Sequence, residues 1–414
     1  MNMRIAMRRM ALATTLAVVV AACAGQTGEP GAPEGAADGV KVGVLVPLTG
    51  ELGAFGEIVA EAVELAVAEI NATGLNPCGT IELVVADSQT NPEIGIREGN
   101  RLIESEGVVA ILGPTSETMV ALVDAAKTSA TVLFSPYAGS ISLNDLGGNF
   151  VYRTVPSDLD DGKAAGSFLA AQGYQRVAVM TQNEESTISI GTAAANVVES
   201  SGIDLVENIV FNPGQASYQA ELTQVLASNP DAIFLAGGQQ SGVTILREAE
   251  QLGFEGDWLL AADMAVPEVI EGAGADILEG RTYAEVASAD TSLPTYQTFA
   301  AFYQEKTGGE PGPFAANSWD MTNLLALAMV AANGCTGEAI NAALAGVSKD
   351  GTKVSSFEEG AKLLAEGQDI DYDGASGPVD LDATGSVAGS YSILQVSNGE
   401  WTEFRFISAE ELAG

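Results

Sequence analysis

Residues 41–48, KVGVLVPL, followed by the turn Thr49-Gly50-Glu51-Leu52-Gly53 and by EIVAEAVELAVAEINATG at 57–74, decide the fold. An apolar run without alternation reads as a strand buried on both faces, and the stretch after it repeats its apolar residues at helical spacing. The pair then recurs. IELVVAD (81–87) is a strand and PEIGIREGNRLIESE (92–106) a helix. VVAIL (108–112) is a strand, and TSETMVALVDAAKTS (115–129) is a helix after the bend Gly113-Pro114. TVLF (131–134) is a fourth strand. Such alternation builds a parallel, doubly wound α/β sheet covered on both faces. In open sheets of this kind ligands sit beyond the carboxyl ends of the strands. Those ends are PLTGELGAFG, ADSQTNP, GPTSE and SPYAGS, all rich in Gly, Ser and Thr.

After GGNFVYRTVPSDLDD (147–161) the alternation restarts. Helix DGKAAGSFLAAQG, strand RVAVMT, helix TISIGTAAANVVESSG and strand IDLVENIVF are followed by helix SYQAELTQVLASNP and strand DAIFLAGG. Helix SGVTILREAEQLGF and strand DWLLAAD complete a second doubly wound sheet. EGRTYAEVAS reads as a further strand, LPTYQTFAAFYQEKTG, FAANSWDMTNLLALAMVAANG and TGEAINAALAGV as helices, and 376–408 as a short β-rich tail. Two α/β halves with a cleft between them suit a protein that closes on a solute.

Residues 1–22 read as an export signal. Arg4, Arg8 and Arg9 precede the apolar ALATTLAVVVAA, which is too short for a comfortable membrane span. The end, Val20-Ala21-Ala22-Cys23, resembles the lipobox of bacterial lipoproteins, in which the Cys becomes the lipid-bearing N-terminus; ordinary cleavage nearby is the alternative. Residues 23–39 are rich in Gly, Ala, Pro and Glu and read as a flexible tether. No later run is long and apolar enough to span a bilayer.

Formal charge is −38, and there is no histidine. The charge excludes a nucleic-acid partner, since phosphate contacts need Lys/Arg stripes. The missing histidine excludes Ser-His-acid and Cys-His catalysis and His-ligated metal. Cys78 and Cys335 remain once Cys23 is set aside, and in an exported protein they are expected to form a disulfide. Asp369, Asp371, Asp373 and Asp380 imitate a calcium loop, but Ser376 stands where such loops want an apolar residue, so no metal and no cofactor is expected.

GVLVPLTGELGAFG, ADSQTNP, AILGPTSE, LFSPYAGS, YRTVPSD, AGG before a helix, and GASGPVDLDATGS occur in order over about residues 40–405. This ordered set resembles the type I periplasmic binding proteins of amino-acid uptake systems, and is similar to leucine/isoleucine/valine-binding proteins. The resemblance implies two Rossmann-like lobes joined by three crossover segments, with the ligand cleft between them. It places the crossings near Arg153–Thr154, Arg281–Tyr283 and Val387. Lobe one is then 40–153 plus 283–386, and lobe two 154–282 plus 387–414, with both Cys78 and Cys335 in lobe one.

An α-amino acid held away from water needs donors for its carboxylate, an acid for its ammonium and an apolar wall. Thr115 and Ser116 open a helix, where hydroxyls and free N–H groups form an anion site; a plain N-cap is the alternative. The resemblance implies ligand carboxylate there. It implies further contacts from Ala138 and Ser140, with Gly139 at a position usually Thr, and from Phe55, which otherwise is a core residue. In the second lobe it implies contacts from Gln239, from Asp263 to the ammonium, and from Ile188, where relatives carry an aromatic lid. Asp263 could equally cap the helix before VPEVI. Glu117, where many relatives have Ser, would repel an anion unless it points away. Glu117, Gly139 and Ile188 therefore leave the solute open among aliphatic and polar amino acids, amides, urea-like compounds and small organic acids.

The expectation is a non-enzymatic solute-binding subunit of an ABC importer. It is expected to be a monomer, exported and held to the membrane through lipid on Cys23, delivering solute to permease and ATPase subunits. A sensor ectodomain of the same fold and an enzyme working without histidine are the alternatives.

Overall fold

The structure is a computed structural model that describes residues 39–413. The leader, Cys23 and the tether up to residue 38 lie outside the described residues.

The first sheet follows the alternation. β1 (Val40–Val46), α1 (Gly53–Thr73), β2 (Ile81–Asp87), α2 (Pro92–Arg101), β3 (Ala110–Leu112), α3 (Ser116–Ser129), β4 (Val132–Ser135) and β5 (Val151–Arg153) come in turn. The strands pair in parallel in the order β2-β1-β3-β4-β5. β1 is buried along its length apart from half-buried Lys41, as a central strand between two helix layers must be. α1 turns Phe55, Val59, Val63, Ala66 and Ile70 inward, one helical stripe. α2 starts on Asn91, whose side chain accepts from the Ile94 amide, with Pro92 in the first turn. It runs on into a π-helical turn, Leu102–Glu106.

The second sheet is larger. α4 (Asp158–Gln172), β6 (Arg176–Gln182), α5 (Glu185–Ser200), β7 (Asp204–Phe211), α6 (Gln219–Ala227), β8 (Ala232–Ala236), α7 (Gln239–Gln251) and β9 (Asp257–Leu260) lead through α8 (Pro267–Ala273) and α9 (Ala275–Leu278) to β10 (Thr282–Ala287). The chain then adds α10 (Pro294–Thr307), α11 (Ala315–Ala332), α12 (Gly337–Val347), β11 (Thr352–Val354), α13 (Phe357–Ala365), β12 (Ile370–Gly374) and β13 (Gly377–Pro378); α11 packs on α1 of the first lobe. It finishes with β14 (Tyr391–Ser397), β15 (Glu400–Ile407) and α14 (Ala409–Ala413). The order is β15-β14-β10-β9-β8-β6-β7, parallel from β7 to β10 and antiparallel beyond.

One boundary moves. The second crossing was expected near Arg281–Tyr283. Instead β10 lies between β9 and β14 and is buried at every position, so 283–287 stay in the second sheet and the chain leaves it after Ala287. The first passage follows β5. Val387 lies in the third, between β13 and β14. Buried Arg153 ties these two passages together: Nε donates to Ser386 Oγ at 2.9 Å and Nη1 to the Ser140 carbonyl at 3.1 Å, while Nη2 reaches Asn144. Residues 348–373, for which the sequence offered only the calcium-like spacing, supply β11, α13 and most of β12. There Lys353 lies 3.6 Å from Asp371 and 2.5 Å from Asp373. Among the described residues no helix is long and apolar enough to cross a membrane.

Cys78, fully buried after α1, is bonded to Cys335 just past α11, with Cα atoms 5.5 Å apart across a sequence separation of 257. Linking positions so distant removes freedom from the unfolded chain. Reduction, or Cys335→Ala, is expected to lower the unfolding free energy by about 2–5 kcal/mol. Urea titrations followed by circular dichroism, with and without dithiothreitol, check this; coincident curves would show that the bond restrains little.

Candidate ligand-binding cleft

Parallel winding places the cleft. In the first sheet β1 lies between β2 and β3, so the chain leaves β1 and β3 toward opposite faces; β6 holds the same place between β7 and β8 in the second. Loops after such strands part at a switch point and leave a crevice. The loops after β1, β3 and β4 here meet those after β6, β8 and β9.

On the first lobe, Phe55, Tyr137 and Phe314 form an aromatic wall. Ring centroids are 4.7 Å apart for Phe55–Tyr137, 5.4 Å for Phe55–Phe314 and 6.3 Å for Tyr137–Phe314. Phe55 is fully buried. Phe314 sits at φ 61°, a conformation a bulky residue adopts only when its surroundings insist. The Tyr137 hydroxyl donates to the Gly113 carbonyl. Burial first, then the carboxylates of Asp263 and Glu117, push its pKa well above the usual phenol value.

Thr115 heads α3 without capping it. Its hydroxyl donates to Thr118 Oγ1 at 3.1 Å, and the first-turn amides receive no side-chain cap from it. Ser116 is buried and accepts the Ser140 amide at 3.3 Å. Ala138 and Ser140 are buried too, and Ser140 Oγ donates across to Glu185 Oε1 at 2.8 Å. Gly139 has a reason to be glycine: a Cβ there would lie 1.8 Å from Asp158 Oδ1, and its carbonyl accepts the Asp158 amide at 2.8 Å. The second lobe's carboxylate fills the space that a side chain at residue 139 would need.

Glu117 points across the cleft. Its Oε1 accepts from the amides of Glu185 at 2.8 Å and Ser186 at 3.5 Å, which open α5. Glu51 makes the matching contact on α7, accepting from the Ser241 amide at 3.0 Å and Ser241 Oγ at 3.2 Å. Beside it the Gln239 amide donates to the Glu51 carbonyl at 3.3 Å, and Gln240 Nε2 to the Gly50 carbonyl at 2.9 Å. Gly238 leaves room, since a Cβ would lie 2.9 Å from Glu51 Cβ.

Asp263 stands in a 3₁₀ turn after β9, and Glu184 at the head of α5. Burial, then the Glu117 charge, pushes each to about 7. Among the described residues no Lys or Arg pairs with either acid. Gln239 is buried, with Nε2 lacking a partner. Ile188 is 36% exposed and lines the outer lip with Glu117, Glu184 and Ser189 rather than the aromatic wall. The structure thus brings Phe55, Thr115, Ser116, Ala138, Gly139, Ser140, Gln239 and Asp263 to one seam and leaves Ile188 at its edge. Glu51, Tyr137, Glu184 and Phe314 join them; sequence reasoning quoted the motifs holding Glu51 and Tyr137 without singling either out, and nothing marked Phe314 as more than a helix start.

A family model described as periplasmic binding protein matches residues 39–400. The leucine-, isoleucine-, valine-, threonine- and alanine-binding protein of Pseudomonas aeruginosa is 22% identical over 293 residues, 70% of this chain and 78% of its own. The chemotactic signal transduction system substrate-binding protein BasB of Halobacterium salinarum is 26% identical over 371 residues, 87% of each chain. Among solved structures, a leucine binding protein, LivK, from Thermotoga maritima superposes with a TM-score of 0.78 at 25% identity, covering 90% of this chain and 99% of that one.

Asp161 on α4, Glu184 and Asp263 are each pushed to about 7, burial being the largest cause. Unfolded, such carboxyls titrate near 4. Between these values the folded protein binds more protons than the unfolded chain, so stability falls as pH rises. Acids held low, Asp87 and Asp382 among them, act in the opposite sense only below this window. The melting temperature without added solute is therefore expected to decline from about pH 5 to about pH 8, and Asp263→Asn to flatten part of the decline. Calorimetry across that range checks it; a midpoint that rises with pH would show the acids hydrated or paired.

Proposed function

This chain belongs to the periplasmic binding protein family, and from that premise we propose that it captures a small amphipathic solute, an aliphatic or branched-chain amino acid, and passes it to the permease and ATPase subunits of an importer. The family works outside the cytoplasm. On this reading the protein is a monomer tethered through lipid on Cys23.

The observation that carries the reading is the meeting of three complementary surfaces at one seam. The uncapped start of α3, with Thr115 and Ser116, offers donors and a positive dipole end to a carboxylate. Asp263 offers a carboxylate to an ammonium. Phe55, Tyr137 and Phe314 offer an apolar wall to a side chain. Burial beside Glu117 penalises the charged form of Asp263. A solute ammonium relieves that penalty, so the amino acid is recognised by the charge it neutralises. Closure removes water, and each of these interactions strengthens in the drier medium. Affinity arises from fixed groups and exclusion of water, and no bond in the solute needs to break.

Binding of leucine, isoleucine or valine in isothermal titration calorimetry is the expected result. Asp263→Asn is expected to weaken it roughly 10- to 100-fold, the worth of a hydrogen bond to a charged group. Binding of an amide, urea-like compound or organic acid in place of every amino acid would overturn the solute and leave the family role standing. A second reading, a sensor that hands its signal to a membrane partner, draws support from the chemotactic haloarchaeal relative. Loss of uptake, rather than of attractant response, when the protein is deleted separates the two.

A further inference from the structure

The lobes meet through a repeated contact. Twice a carboxylate from the first lobe seats on the amino end of a helix of the second: Glu117 on α5 and Glu51 on α7. Both helices leave the second sheet at its switch point, beside β6 and β8. Neither depends on a side-chain cap of its own, since Glu184 and Gly238 precede them and make no capping hydrogen bond. A helix start of this kind carries unsatisfied amides and roughly half a positive charge. A carboxylate answers both, and here it comes from the opposite lobe. Both Glu51 oxygens are engaged with Ser241, and Glu117 Oε1 takes two amides.

We propose that Glu51 and Glu117 are closure residues, which set the balance between open and closed lobes by holding the amino ends of α7 and α5 and do so without contacting the solute. The proposal rests on the reading of the cleft as one that closes on a solute. Local packing is arranged around these contacts. Gly238 lacks the Cβ that would lie 2.9 Å from Glu51 Cβ and Oε2. Ser140 reinforces the Glu117 side by donating to Glu185 at 2.8 Å.

Solute and closure also share a charge. Glu117 lies close enough to Asp263 and Glu184 to disfavour their ionisation. In the empty cleft these two acids answer that charge by holding their protons, so Glu117 rests on α5 with or without solute.

Single-molecule fluorescence transfer between labels on the two lobes of the purified protein, without added solute, tests the proposal directly. Glu117→Gln keeps an acceptor oxygen and loses the charge, whereas Glu117→Ala loses both. The open-to-closed ratio is expected to rise about threefold for the first, about tenfold or more for the second, and further when Glu51→Ala is combined with it. Gly238→Ala displaces Glu51 without altering any charge and is expected to act like Glu51→Ala. Glu57→Gln, an exposed acid on α1, serves as the control and should change nothing. With leucine as probe in stopped-flow, the closure variants should raise the dissociation rate and leave the association rate within about twofold. Distance distributions of the double variant that match the wild type would overturn the proposal. Failure of leucine to bind would count against the functional reading alone, because the fluorescence experiment needs no solute.

Discussion

The positive charge of this cleft comes from the backbone. The chain carries 17 Lys and Arg against 55 Asp and Glu, with no histidine. With so few cationic side chains, an anion in the cleft would have to be met by other donors. Three helix starts converge on the seam instead, those of α3, α5 and α7, and each presents unsatisfied amides at the end of a dipole. Their convergence follows from the fold, because every helix of a parallel βαβ unit begins beyond the carboxyl end of a strand. Two starts receive glutamates from the facing lobe, and the third has no side-chain cap. On the proposed reading, recognition and closure use the same physical device.

The negative groups are placed with equal economy. Asp263 and Glu184 are half-buried without a cationic partner, and desolvation makes each a poor anion until something positive arrives. Arg153, by contrast, is withheld from the cleft floor. It lies among the interlobe passages, bound to Ser386, Ser140 and Asn144, and ties the first and third passages together. Seam and junction are therefore governed by different forces, the one by matching of charge, the other by a hydrogen-bonded lock.

Much of this was legible in the residues. Apolar runs without alternation, separated by amphipathic helices, dictate parallel sheets, and the loops that such sheets aim at a ligand can be read directly. Cys78 and Cys335 could be paired by their number and by the lobe that the resemblance assigns them. Position within the cleft was less legible. Glu117 looked like an obstacle to an anion, because its partner amides on α5 lie 68 residues away and belong to the other lobe. Phe314 announced itself only as the start of a helix, since a left-handed backbone angle at a phenylalanine leaves no mark in composition. The late crossing after Ala287 has a similar cause. An apolar strand reads alike in either lobe, and only its neighbours β9 and β14 say which sheet it joins.

Gly139 and Asp158 have an evolutionary consequence. The carboxylate of one occupies the volume that a side chain on the other would need. Any side chain at residue 139 collides with Asp158, whereas shrinking Asp158 alone keeps the bond from its backbone amide to the Gly139 carbonyl. The two positions are epistatic. A larger residue can enter position 139 only once Asp158 has been shortened or moved, so the order of those two changes is set by steric exclusion.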